Sequence, residues 1–117
     1  MIVRMILEGE VIRQLPTMEV GDFGKILEFH IVREDGYAVD LTGKTVTFKA
    51  RKLNQFNEYL FEEPATLGDA ENGEASYEIQ DTDLSEEGVF SASLEISEAS
   101  VNNESLPLGF LYVRENH

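Results

Sequence analysis

The chain has 117 residues, the size of one domain, and 42% of them are hydrophobic, which excludes a disordered segment. It contains no cysteine, which excludes a disulfide framework and a thiolate metal site. Its net charge is −14, from 23 acids against 9 bases, which argues against phosphate backbones and anionic membrane surfaces as partners.

Residues 1–15 open with the apolar run Met1-Ile2-Val3-Arg4-Met5-Ile6-Leu7, broken by Arg4. The run lacks the basic start and long apolar centre of a signal peptide, and no segment nears the roughly 20 apolar residues of a membrane helix. The product is therefore expected to stay in the cytoplasm where it is made. Val11, Ile12 and Leu15 follow Gly9, so one or two strands are expected here, with a hairpin about Glu8-Gly9-Glu10. The alternative is an arm, residues 1–11, whose Ile2, Val3, Met5, Ile6 and Leu7 add a strand to a neighbouring subunit. An uncovered apolar arm would aggregate, so either reading requires a cover.

Further along, apolar and polar residues alternate. Leu27, Phe29 and Ile31 interleave with Glu28 and His30; Val46, Phe48 and Ala50 with Thr45, Thr47, Lys49 and Arg51. Ala75, Tyr77 and Ile79 interleave with Glu74, Ser76, Glu78 and Gln80; Phe90, Ala92, Leu94 and Ile96 with Ser91, Ser93, Glu95 and Ser97. Strand side chains point alternately to opposite faces, so each run has one apolar face, and four such strands need a second sheet to cover them. Turn residues separate the runs: Gly21-Asp22-Phe23-Gly24, Glu34-Asp35-Gly36, Leu41-Thr42-Gly43, Asn72-Gly73 and Asp83 to Gly88. Residues 54–67 are the least regular, with a loop about Pro64. Residues 81–87 suit one helical turn, and Asn102-Asn103 precedes a last strand over 108–113. The fold class read from this is all-β: one antiparallel β-sandwich domain over residues 1–117, with about seven to eight strands.

Chemistry is hard to place on this chain. The two histidines, His30 and His117, lie mid-strand and at the end, without the partners that a general base or metal site requires. No nucleophile elbow, P-loop or dinucleotide fingerprint occurs, so neither catalytic residues nor a cofactor is expected. Loop carboxylates suit calcium: Asp69, Glu71 and Asn72 share one turn, Asp81 and Asp83 another. However, Gly73 is the fifth position from Asp69, where an EF-hand loop has its glycine sixth. Asn103-Glu104-Ser105 matches a glycosylation sequon with no secretion signal to make it meaningful. Tryptophan is absent, which weakens a sugar platform; Tyr37 and Tyr59 fall in or beside loops, while Tyr77 belongs to a core face.

Lys44, Lys49, Arg51 and Lys52 place four of the nine bases within nine residues. Lys49 and Arg51 share the outward face of one strand. Two readings follow: charges that protect a sheet edge, or a basic stripe that meets an acidic face of the next copy.

The run Gly21-Asp22-Phe23-Gly24-Lys25-Ile26-Leu27-Glu28-Phe29, followed by Asp35-Gly36 and by Val39-Asp40-Leu41-Thr42-Gly43-Lys44-Thr45-Val46-Thr47-Phe48, resembles the N-terminal domain of phage baseplate upper proteins. Asp69-Ala70-Glu71-Asn72-Gly73 with Tyr77, and Gly88-Val89-Phe90, continue the resemblance across about residues 12–113. It implies an immunoglobulin-like sandwich and a structural part of a tail tip, linking baseplate core to receptor-binding proteins. Phe90 stands where that family often has tyrosine, which removes a tyrosine-corner hydroxyl. Family members usually continue beyond the position of His117 into linkers or coiled regions. The expected function is thus a non-catalytic virion component that associates with other virion proteins and with its own copies. The rivals are a carbohydrate-binding module of a phage or bacterial surface protein, and a capsid decoration or head-fibre domain.

Overall fold

The computed structural model describes residues 1–55, 57–98 and 102–115. Where the alternation is regular, the strands form as expected: β4 (Ile26–Val32), β5 (Thr45–Lys52), β8 (Glu74–Glu78) and β9 (Gly88–Glu98). Around them run β1 (Ile2–Leu7), β2 (Glu10–Ile12), β3 (Met18–Glu19), β6 (Tyr59–Pro64), β7 (Thr66–Leu67) and β10 (Asn102–Arg114). They make two five-stranded sheets, ordered β2-β1-β4-β8-β7 and β3-β10-β9-β5-β6.

This order is immunoglobulin-like. In that fold strands A, B, E and D form one sheet, C, F and G the other, and C′ joins beside C. Here β1-β4-β8-β7 take the first set, β5-β9-β10 the second, and β6 the C′ position. The chain exceeds the expected strand number because β2, β3 and β7 are only two or three residues long, too short to show a period. One pairing departs from antiparallel: β3 runs parallel to the end of β10, Met18 opposite Val113.

Inward side chains of both sheets fill the space between them. Phe48 is fully buried at the centre. Its ring meets Phe29, Phe61 and Tyr77 edge-on, at centroid distances of 5.5, 5.1 and 5.5 Å. That geometry sets ring edges against ring faces and adds to the gain from burial.

Three connections differ from the reading of the sequence. Pro64 closes β6, and the chain crosses to the other sheet at Ala65, whose N–H donates to Val46 O at 2.7 Å. The expected turn of helix at 81–87 is absent; a 3₁₀ turn forms instead at Ala70–Asn72 and ends on Gly73, at φ +73°. A β-carbon at Gly73 would collide with the carbonyl of Ile31, so glycine is required there. The last strand begins at Asn102, not 108, because a register shift between Pro107 and Gly109 lets two differently patterned halves form one ladder.

The segment between β8 and β9 is anchored from inside. Leu84 is fully buried, and Asp83 is the buried charged residue among those described. Tyr77 donates its hydroxyl to Asp83 Oδ2 at 2.6 Å, and the Gln80 N–H donates to the same oxygen at 2.8 Å. Burial, then the hydrogen bond to Asp83, pushes the Tyr77 phenol well above its ordinary pKa. The corner that a hydroxyl at Phe90 would have tied is thus held by Tyr77 of the opposite sheet.

Candidate functional site

The two outward faces of the sandwich, and the short loops at its ends, are where a surface for partners must lie. On the first sheet, β1 pairs with β4 along its whole length, from Ile2 opposite Val32 to Leu7 opposite Leu27. It turns into β2 through Glu8 and Gly9, both at positive φ, which is the two-residue hairpin turn that matches strand twist. Met5 is buried, and Val3 and Leu7 pack against the core beside it. Ile2 and Ile6 belong to the outward row, and Ile2 is exposed. The N-terminal ammonium donates to Glu34 Oε1 at 2.6 Å, and that hydrogen bond lowers the Glu34 pKa.

Charge dominates the rest of this face. Register sets Arg4 opposite His30 and His30 opposite Glu74, with Glu28 opposite Ser76 in the next row. His30 is half-buried in that row, and His117 lies outside the described residues.

Lys49 and Arg51 occupy the outward face of the other sheet, so they are not brought together with the β1 residues. Strand β5 lies between β9 and β6, not at an edge, which overturns edge protection as their role. Lys49 Nζ lies 2.6 Å from Glu95 Oε2 and 3.2 Å from Glu62 Oε2, and sits 5.4 Å from the centre of the Tyr59 ring. Burial pulls its pKa down, but the hydrogen bonds to Glu95 and Glu62 outweigh it and hold the ammonium above its ordinary value. Arg51 reaches the Lys52 carbonyl at 3.5 Å, and Lys52 pairs with Glu86 at 3.2 Å and Glu58 at 3.7 Å. The stripe is therefore matched to a large extent by acids of its own chain.

The same face carries a feature that sequence reading missed. Phe110, Tyr112, Val89 and Leu53 are 52%, 49%, 40% and 44% exposed. Tyr112 stands opposite Val89 and Phe110 opposite Ser91. The β5–β9 register, Lys52 opposite Phe90, brings Leu53 next to Val89, and both line one hollow. The cause is the bulge at Gly109, at φ +89°. Leu106 and Leu108 face inward before it; Leu111 and Val113 face inward after it. One extra residue has switched the parity and turned Phe110 and Tyr112 to solvent. The available signal was a glycine inside a strand, followed by Phe-Leu-Tyr-Val with no alternation.

The calcium candidates do not assemble. Asn72 Nδ2 donates to Asp69 Oδ2 at 2.7 Å within the 3₁₀ turn, and Asp83 is committed to Tyr77. Among the described residues no three His, Asp or Glu side chains are grouped to hold a metal ion. Tyr37 is exposed with the Arg33 guanidinium 5.6 Å from its ring centre, whereas Tyr59 lies against Lys49 on the other sheet. Among the described residues no helix is long and apolar enough to cross a membrane.

No curated protein matches the chain. The family model of the BppU N-terminal domain matches residues 8–113, which takes in every strand from β2 to β9 and nearly all of β10. The chain belongs to the family of baseplate upper protein N-terminal domains, structural domains of the phage baseplate.

Proposed function

We propose that this domain is a non-catalytic part of a phage tail tip and that it works by docking onto other virion proteins. The match to the baseplate family over residues 8–113 carries this reading. Two features support it. The interior is filled by side chains of both sheets, and Lys49, Lys52 and Arg114 on the surface are paired with acids of the same chain. The exposed apolar side chains stand on sheet faces and turns, which suits broad contact with a folded partner.

The test is location. Antibody-gold labelling of intact particles of a phage that encodes this chain is expected to mark the tail tip. Labelling of the head would move the domain to capsid decoration. Absence from particles, together with retention on a cell-wall glycan array, would replace the reading with carbohydrate binding.

A further inference from the structure

The outward row Leu53–Val89–Tyr112, with Phe110 beside it, runs across β10 and β9 to the residue just past the end of β5. Four large apolar side chains in one patch are of the kind found at the centre of protein interfaces, where aromatic residues supply most of the binding energy. The row exists because of a bulge. A strand continued in regular register past Leu108 would have pointed Phe110 and Tyr112 into the core.

The charges around the row select the partner. At its Leu53 side, Glu58 and Glu86 both pair with Lys52, and Glu87 adjoins them, so three acids stand against one base. On its β10 side, Arg114 is already paired with Glu19 at 3.2 Å. Arg51 stands further up the face, and Arg13 edges the hollow beside Phe110. A contact of the patch with itself would bring together two chains of −14 each, whose net charges repel. A different protein, with an apolar centre flanked by lysine or arginine, meets no such repulsion.

We infer that the Leu53–Val89–Phe110–Tyr112 face docks a non-identical, basic-rimmed virion protein; the inference rests on the baseplate reading above. It is tested with a photo-crosslinking phenylalanine analogue in place of Val89, in intact particles of a phage encoding the full chain. The same analogue in place of Ser76, on the outer face of the opposite sheet, is the control. Position 89 is expected to form an adduct with a different virion protein, through a peptide carrying lysine or arginine, and position 76 is not. Phe110→Ser with Tyr112→Ser is expected to lower the chain recovered in particles at least about tenfold, with the melting temperature of the purified domain held within about 3 °C. An adduct only with a second copy, an adduct only from position 76, or unchanged recovery of the double variant overturns the inference. A chain absent from particles sinks the baseplate reading as well, whereas a chain present with position 89 silent sinks this surface alone.

Discussion

The two outer faces of this sandwich are built from similar strands and present different surfaces. On the β4 face, period two holds through all seven residues of Ile26–Val32, so Glu28 and His30 point outward in rows with Ser76, Arg4 and Glu74. On the β10 face the period breaks at Gly109, and two aromatic rings emerge between apolar neighbours. The difference comes from one extra residue, and hydrophobicity alone would not reveal it. A strand that keeps its period yields a solvated face; a strand that slips by one residue can display what it would otherwise bury.

Four measurements break or sharpen this contrast. Removing residues 1–9 is expected to have the largest effect, because β1 is an inner strand of its sheet and carries Val3, Met5 and Leu7 against the core. A loss of roughly 5 kcal/mol or more in chemical denaturation follows from their burial. A truncated chain that melts normally but no longer assembles would instead make this segment an arm for a neighbour. Inserting one alanine after Gly109 comes next. The added residue shifts the parity once more, which should turn Leu111 and Val113 to water at a cost of about 3–6 kcal/mol, seen as a large drop in thermal midpoint. A normal midpoint would mean that the ladder tolerates either parity.

Tyr77→Phe removes one of the two hydrogen bonds to a buried carboxylate. The expected loss is about 1–3 kcal/mol, with amide exchange accelerating first in residues 79–87. Lys49→Met is expected to cost about 1–2 kcal/mol near neutral pH, since Glu62 and Glu95 are partly exposed and lose their shared cation. Its pH dependence has a definite sign. The folded pKa of Lys49 is raised above 10.5, so this stabilisation is complete below that value and is lost as pH rises through the folded pKa. Parent and variant should therefore differ by a constant amount around neutral pH and converge in strong alkali; a gap that closes within about pH 6–9, where an ammonium and carboxylates are ordinarily all charged, would refute the assignment.

The sandwich was legible because β4, β5, β8 and β9 each place apolar side chains at every second position, and the order of turn motifs between them pointed to the family. The hairpin at Glu8-Gly9 was also visible. Strands of two residues, such as β3 and β7, were not, since pairing and not composition makes them strands. Asn102-Asn103 read as breakers because amides favour turns, yet here they pair with Glu98 and Ser97. Lys49 and Arg51 were correctly read as sharing a face, but Glu62 and Glu95 lie 13 and 46 residues from Lys49 in sequence, so its neutralisation appears only once the strands are paired. The Phe110–Tyr112 patch was hidden for a related reason: a bulge is a property of two strands, and one strand's sequence shows only a glycine.

The parallel pairing of β3 with the end of β10 has a mechanical meaning. The ammonium of Met1 is held by Glu34 at one end of the sandwich, while Arg114 lies at the other, where its carbonyl accepts the Val20 N–H at 2.9 Å. A pull that separates these two ends runs along the strands, so the β1–β4 and β3–β10 joints are loaded in shear. Their hydrogen bonds then share the force and must yield together, whereas a hairpin pulled from its open end gives way one bond at a time. Pulled between Met1 and Arg114, the domain is therefore expected to resist more force than a hairpin opened from its end.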